Sequence, residues 1–178
     1  MAAVQSLNKQ ISNYKVSSVL NRDTPSYGKQ HLFDGNIETC WNSEQGESQH
    51  ILVEFAAPVR IHVIRIQFQG GFAGRETQLF DSTRNAKICP LHPEDNNKLQ
   101  TFVLPDTEQL VTRKRIKIHF ASSSDFYGRI IIYALDFVGQ VIESDAELEA
   151  AASAMPAIDA GGYGGGAEML GSDSIVIM

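Results

Sequence analysis

The chain has 178 residues, of which 43% are hydrophobic and 20% are charged, which predicts one folded domain with a remainder and excludes a chain that is disordered throughout. Residues 1–140 contain all 15 Lys and Arg residues and 14 acidic residues, and this near-neutral balance argues against direct nucleic-acid binding. Residues 141–178 contain the other 7 acidic residues and no Lys or Arg, so the net charge of −6 belongs to the C-terminal segment.

Six segments of the body have the composition and periodicity of β-strands. In chain order they are residues 15–21, 49–55, 59–69, 98–104, 115–120 and 128–139. The clearest is the fifth, in which Arg115, Lys117 and His119 alternate with apolar residues, so that one face points inward. Turn residues separate the segments, and no helical period is seen before residue 143. The pattern predicts an all-β, antiparallel sandwich or barrel.

The third of these segments changes phase along its length. Ile61 and Val63 share one face of the predicted strand, whereas Ile64 and Ile66 share the other. Either a β-bulge near Val63 or a strand that is buried on both faces explains this pattern.

Residues 31–43 form the most distinctive segment of the sequence. Asp34 can accept hydrogen bonds from backbone N–H groups, Gly35 can adopt a positive φ angle, and Thr39 can bond within the same turn. Trp41 is expected to lie in the sandwich interior with one partner for its N–H group. The segment resembles the signature of the discoidin, or coagulation-factor type C, family, whose galactose-binding-like domains are jelly-roll sandwiches.

The resemblance and the change in composition together predict the domain organisation. We expect a discoidin-like antiparallel jelly-roll β-sandwich over residues 12–142, preceded by a flexible N-terminus of residues 1–11. Residues 143–178, rich in Ala, Gly and acidic residues, are expected to be a flexible acidic tail. Residues 175–178 are apolar and follow an acidic residue, a pattern typical of strand-adding peptides that also occurs by chance.

Five motifs between residues 15 and 141 carry a second resemblance. They are Ser-Ser-Val-Leu-Asn from residue 17, Thr-Cys-Trp-Asn-Ser from 39, Ile-Gln-Phe-Gln-Gly-Gly-Phe from 66, Pro-Glu-Asp-Asn-Asn from 93 and Asp-Phe-Tyr-Gly-Arg from 125. In this order they resemble a family of nuclear-receptor-associated proteins that bind the orphan testicular receptor. The resemblance implies a noncatalytic nuclear protein, present also in the cytoplasm, that binds an orphan nuclear receptor and suppresses its DNA binding and transactivation. An adaptor subunit of an intracellular complex and a carbohydrate-binding module are the alternatives.

Two turns contain the aromatic and basic residue types that are enriched in interface hot spots. One is in the longest predicted loop, residues 70–84, and the other contains Phe126, Tyr127 and Arg129. The candidates for partner binding are Phe72, Arg75, Tyr127 and Arg129. The alternative for Phe72 is that it folds back and caps the core.

A basic stripe is predicted along the fifth strand. Arg113, Arg115, Lys117 and His119 fall on one face of the strand, and Lys114 completes the basic cluster in the sequence. Such a stripe suits phosphates, an acidic partner or the acidic tail of the same chain, and it is equally typical of a solvated outer face.

The signature turn also raises the question of a metal ion. Asp34, Asn36 and Thr39 stand where calcium-binding discoidin-like modules hold a structural ion, by resemblance, but Ala134 stands where such sites take a further carboxylate. Because calcium prefers 6–8 oxygen ligands, we expect a turn held by its own hydrogen bonds and no metal or cofactor.

No motif of an enzyme, a membrane protein or a secreted protein is recognised. The histidines are scattered, and of the two cysteines Cys89 is expected to be the more exposed thiol. Residues 1–10 lack the apolar region of a secretory signal, and the longest apolar run, residues 130–135, is far shorter than the roughly 20 residues of a membrane span. We therefore expect a protein of a reducing intracellular compartment.

Overall fold

The computed structural model describes residues 4–105 and 113–143, together with Ala146 and Glu149. The nine strands of this described part are β1 (Gln5–Ser6), β2 (Ile11–Val16), β3 (Trp41–Asn42), β4 (Gln49–Phe68), β5 (Thr77–Asp81), β6 (Ala86–Leu91), β7 (Leu99–Val103), β8 (Arg113–Phe120) and β9 (Ile131–Val141). A short helix, α1 (Thr24–Tyr27), and 3₁₀ turns at Asn8–Gln10, Leu20–Arg22 and Lys29–Leu32 lie among the first three strands. Within the described residues, no helix has the length and apolar character needed to cross a membrane.

The described strands pair in antiparallel fashion in two layers that share β4. The first half of β4 pairs with β2 on one side and β8 on the other, and β5 and β6 extend this layer beyond β8. The second half of β4 pairs with β7 and β9, and β1 and β3 add to β9. The register of β4 on β8 shifts between Glu54 and Val59, where the strand passes from one layer to the other. The predicted antiparallel all-β fold is confirmed.

Alternating side chains form the core between the two layers. Ile116, Ile118 and Phe120 of β8 are buried, whereas the basic residues between them face outward, as the period of two predicts. Two edge-to-face ring pairs join the layers: Phe55 lies 5.7 Å from Phe137, and Phe68 lies 6.0 Å from Phe120, between ring centroids. Each such buried side chain contributes about 1.5–3 kcal/mol of hydrophobic stabilisation.

The phase change in the second half of β4 is a β-bulge. Ile61 pairs with Gly139 of β9 and Val63 pairs with the adjacent Val138, so His62 is the extra residue. The bulge turns both Ile61 and Ile64 into the core, where they are almost completely buried. The bulge interpretation is therefore confirmed, and the interpretation as a strand buried on both faces is not needed.

Several predicted boundaries were wrong. Residues 49–55 and 59–69 belong to one strand, β4, and the first predicted strand lies earlier, at Ile11–Val16. The predicted loop at residues 70–84 contains β5, and β6 follows it. β5 was missed because only Leu79 and Phe80 of its five residues are apolar, and β6 was missed because Pro90 interrupts its pattern.

The predicted start of the domain at residue 12 is also too late. β1 pairs with β9, through Gln5 to Gly139 and Ser6 to Val138, and Leu7 is completely buried in the core. The N-terminal segment therefore belongs to the sandwich from Gln5 onward. The predicted flexible tail at residues 143–178 lies outside the described residues, apart from Glu143, Ala146 and Glu149.

Candidate interaction site

The signature turn is held together by the side chain of Asp34. Its Oδ1 accepts a hydrogen bond from the Asn36 N–H at 2.9 Å, and its Oδ2 accepts one from the Thr39 hydroxyl at 2.6 Å. Nδ1 of His31 lies 2.9 Å from the same Oδ2, and Gly35 has a φ angle of +71°. The turn therefore satisfies its polar groups locally, in the manner of an Asx turn.

The donor set of this turn does not fit a calcium ion. Both carboxylate oxygens of Asp34 already accept hydrogen bonds, and Ala134 of β9 contributes no side-chain oxygen. Among the described residues, no group of three or more His, Cys, Asp or Glu side chains is placed to hold a metal ion. Calcium prefers 6–8 oxygen ligands, and Ala134 supplies no carboxylate to complement that of Asp34.

The turn is expected to give the protein a small pH dependence. The hydrogen bond to Asp34 raises the pKa of His31. Burial alone would raise the pKa of Asp34, but hydrogen bonds from Thr39 and Asn36, together with His31, outweigh it and lower that pKa. The stability that His31 adds to the folded protein is therefore complete below about pH 6.5, and it is lost as the pH rises through the raised pKa of His31 in the folded state. The stability that Asp34 adds is present above about pH 4, and it is lost as the pH falls through the lowered pKa of Asp34 in the folded state.

We expect the melting temperature to fall more between about pH 6 and 8 in the wild type than in His31→Gln. The pair is partly exposed, so the difference should correspond to less than about 1 kcal/mol. Thermal unfolding followed by circular dichroism at the two pH values measures it. Equal pH dependence in the two proteins would contradict the role given to this pair.

Three loops meet at the end of the sandwich where β4 begins and ends, and a fourth, residues 92–98, joins them through Asp95, whose Oδ1 accepts hydrogen bonds from the Gly71 N–H (2.7 Å) and the Ser124 hydroxyl (3.1 Å). Residues 69–76 and 121–130 are joined by several hydrogen bonds, two of which link Ala73 and Ser124: the Ser124 N–H donates to the Ala73 carbonyl (2.8 Å), and the Ala73 N–H donates to Oγ of Ser124 (2.9 Å). The third loop, residues 43–48, joins them through the Gly46 N–H, which donates to the Tyr127 carbonyl at 3.1 Å. These hydrogen bonds fix the backbone of the loops and so fix the positions from which the exposed side chains project.

Arg129 organises the side chains on these loops. Asp125 accepts two hydrogen bonds from its guanidinium, from Nε at 3.0 Å and from the terminal nitrogen Nη2 at 3.3 Å. The guanidinium carbon lies 5.0 Å from the ring centroid of Phe72 and 6.0 Å from that of Tyr127. Phe72, Phe126, Tyr127 and Arg129 thus form one group, the aromatic cluster, with the Phe126 and Tyr127 rings 5.3 Å apart and edge to face.

The aromatic cluster is apolar at its surface and charge-balanced beneath. The hydrogen bond with Arg129 lowers the pKa of Asp125, and the same bond raises the pKa of Arg129, so both groups stay ionised and paired. Phe126, in contrast, is 94% exposed and Tyr127 is 56% exposed. An aromatic ring held outward on an ordered turn is the kind of side chain that supplies the central contact of an interface.

The structure brings together three of the four predicted partner-binding residues. Phe72, Tyr127 and Arg129 lie in the aromatic cluster, and Phe72 is half-buried beneath the guanidinium. Arg75 does not share these contacts; its N–H donates to the Ser122 carbonyl, and its side chain lines a separate groove on the outer face of β5, β6 and β8. Phe126, the most exposed aromatic residue of the turn, was not among the predicted binding residues, although it lies next to Tyr127.

The cysteines differ from the expectation in exposure. Cys89 lies on β6 and is buried, because its side chain faces the core, whereas Cys40 is half-buried. Burial raises the pKa of the Cys40 thiol, which lowers its reactivity. Cys89 appeared exposed from sequence only because the strand that carries it was not recognised.

Comparison with known proteins supplies two kinds of similarity. No protein-family model matches the chain. The nuclear receptor 2C2-associated protein of Danio rerio is 49% identical over 129 residues, which cover 71% of this chain and 89% of that protein. The protein of the same name from Homo sapiens is 47% identical over 131 residues, which cover 72% of this chain and 91% of the human protein.

Solved structures show the same fold at low sequence identity. A family 32 carbohydrate-binding module of C. perfringens in complex with galactose has a TM-score of 0.61 at 15% identity, over 76% of this chain and 99% of the module. An F5/8 type C domain from Bacteroides fragilis has a TM-score of 0.61 at 13% identity, over 78% of this chain and 98% of that domain. These similarities confirm the predicted discoidin-like sandwich, and they carry no argument for a ligand.

Proposed function

The chain belongs to the family of nuclear receptor 2C2-associated proteins, and we propose that, like the relatives so named, it binds a nuclear receptor. The proposal extends to a nuclear, noncatalytic protein that represses transcription by keeping the bound receptor from DNA. The sequence identity to the named relatives supports the receptor as partner. The aromatic cluster supports binding as the mode of action, since its arginine is already paired with a carboxylate and its outermost group is an unreactive ring.

The observation that carries the proposal is the exposure of Phe126. A phenylalanine that is 94% exposed loses its unfavourable contact with water only when another surface covers it. Tyr127 packs against it edge to face, so the two rings present one apolar ridge rather than two separate side chains. A groove on the receptor that admits this ridge would gain most of its binding energy there, with the polar loops around it excluding water.

In this proposal, the protein represses transcription because its size blocks access to the receptor. A sandwich of this kind is a rigid body of about 130 residues, and it covers neighbouring surface on the receptor beyond the contact itself. If the ridge docks close to the receptor's DNA-contacting surface, the sandwich and the DNA cannot be bound at once. The mechanism needs no chemical step and no direct contact between this protein and DNA.

The test is to replace both rings of the ridge, in the double variant Phe126→Ser/Tyr127→Ser. We expect its affinity for purified nuclear receptor 2C2 to fall at least about 30-fold, since a hot-spot residue is worth 2 kcal/mol or more. Isothermal titration calorimetry measures the affinity, and a gel-shift assay measures whether each protein releases the receptor from DNA.

The matched control replaces two exposed apolar residues of β7. Leu99 and Val103 are 54% and 70% exposed and lie on β7, outside the loops that form the aromatic cluster, so Leu99→Ser/Val103→Ser should bind the receptor as the wild type does. Full receptor binding by the ridge variant would remove the ridge from the proposal. Galactose binding by the wild type, with no binding to the receptor, would favour a carbohydrate-binding module, and recovery of another multiprotein complex would favour an adaptor.

A further inference from the structure

The groove that Arg75 lines lies on the outer face of the layer that contains β5, β6 and β8. It is an open groove of about 540 Å³. Phe80 of β5 and His119 of β8 line it with half-buried rings, which pack edge to face at 6.1 Å between centroids. Exposed Arg75 and Lys87 line it from the loop before β5 and from β6. The groove therefore combines an apolar lining with cationic side chains from two separate elements.

The groove has an excess of positive charge. Among the described residues that line it, Arg75 and Lys87 are cationic and Glu76 is acidic. Lys117 adds a third cation next to the groove, because its ammonium nitrogen lies 5.2 Å from the centroid of the Phe80 ring. Such a lining favours a ligand that carries several negative charges along an extended backbone over a single compact anion.

His119 adds an unused hydrogen-bonding group. Its Nδ1 is buried, and it has no hydrogen-bond partner among the described atoms. A buried polar atom without a partner costs free energy, and a ligand in the groove contacts the half-buried ring that carries this atom. This residue was predicted as part of a basic stripe, and burial together with Lys117 lowers its pKa, so it acts in the groove as a neutral ring.

The same chain contains a segment of complementary charge. Residues 143–178 contain seven acidic residues and no Lys or Arg. The segment begins beside the strand that leads to the groove: Val59 of β4 pairs both with Val141, the last residue of β9, and with Arg113, the first residue of β8. From there the outward side chains of β8 lead to His119, about 20 Å away at roughly 3.3 Å per residue. A segment of this length reaches several times that distance.

We propose that the acidic segment of residues 143–178 binds in the groove between Arg75 and Lys87, as an intramolecular ligand that competes with acidic segments of other proteins. Arg115 is not needed for this contact, because its guanidinium already pairs with Glu54 at 3.1 Å. The proposal is separate from receptor binding by the aromatic cluster, since none of the residues that form the aromatic cluster lines the groove.

The experiment compares full-length proteins by ¹H–¹⁵N NMR and by titration with hexaglutamate as the probe. One variant neutralises the acidic segment, by the replacements E143Q, D145N, E147Q, E149Q, D159N, E168Q and D173N. A second, Arg75→Glu/Lys87→Glu, reverses the charge of the groove. The matched control, Lys9→Glu/Lys15→Glu, makes the same charge change at two exposed lysines that do not line the groove.

We expect neutralisation of the segment to shift the backbone amide signals of Gln78, Phe80 and His119, independently of protein concentration. Hexaglutamate should bind the neutralised protein at least about tenfold more tightly than the wild type, because a tethered competitor has been removed. The groove reversal should abolish probe binding, and the control should leave it intact.

Three results would overturn the proposal. The groove signals could be identical in the wild type and the neutralised protein. Hexaglutamate could bind both proteins equally, which would make the groove a site for other proteins only. The signals could change with protein concentration, which would assign the segment to the groove of a second copy. None of these results bears on receptor binding, which the ridge variant tests separately.

Discussion

Replacing Trp41 with Ala is expected to lower the free energy of unfolding by about 3–5 kcal/mol, the range for removing a large aromatic side chain from a core. Trp41 is completely buried, and its indole N–H donates to the Ser18 carbonyl at 2.9 Å. The variant loses the packing of the ring and leaves the carbonyl oxygen without its donor. Urea unfolding followed by circular dichroism measures the loss without relying on tryptophan fluorescence.

The control for this prediction is Phe126→Ala. Phe126 is also a large aromatic residue, but it is 94% exposed, so its removal should change the free energy of unfolding by less than about 0.5 kcal/mol. An unchanged stability for Trp41→Ala would show that the residue is not a core anchor. A large loss for Phe126→Ala would show that this ring supports the fold, and it would weaken the case for an interface.

The second large effect is expected for Gly128→Ala, because Gly128 holds two loops of the aromatic cluster together. Its φ angle is +79°, and an added Cβ would overlap the carbonyl oxygen of Gly46 in the facing loop. The left-handed conformation alone costs a residue with a side chain about 1–2 kcal/mol, and the overlap adds to that. We expect a loss of at least about 2 kcal/mol of stability, in the range of strained backbone sites.

A matched glycine separates the two costs. Gly71 has a φ angle of +86°, but an added Cβ there meets no atom within 4 Å, so Gly71→Ala should show only the conformational cost. Gly128→Ala should also weaken receptor binding, since the Gly46 N–H bond to the Tyr127 carbonyl must break when the loops separate. Equal stability losses for the two variants would show that the loops yield without strain.

Much of the fold was predictable because its signals are local. The alternation along β8 indicates which face is buried without knowledge of the neighbouring strands. The bonds of the signature turn join residues at most five positions apart, so Asp34, Gly35 and Thr39 define it from sequence. The bulge in β4 left the same kind of local record, as a change of phase at Val63.

The candidate site was predictable only in part, for the opposite reason. The turn at Asp125–Arg129 is local, but the position of the guanidinium over Phe72 joins residues 57 positions apart, through loops that meet only in the folded sandwich. Arg75 was grouped with Phe72 because the two are near neighbours in sequence, yet Arg75 lines the groove whereas Phe72 lies beneath the guanidinium of Arg129. The groove was missed because β5 and β6, which form part of it, were taken as a loop and its flank.

The sequence by itself determined the all-β class, the buried face of the regular strands, the signature turn and the family, because these depend on side-chain type and short spacings. The tertiary structure alone decided that β4 serves both layers, that the N-terminal strand belongs to the sandwich, and which exposed side chains share a surface. Strand pairing and loop contacts depend on which edges meet, and hydrophobic periodicity does not encode this, because it specifies the buried face of a strand and not its partner. Phe72 and Arg129 thus come together in the aromatic cluster, and Arg75, Lys87 and His119 in the groove, only when distant segments pack together.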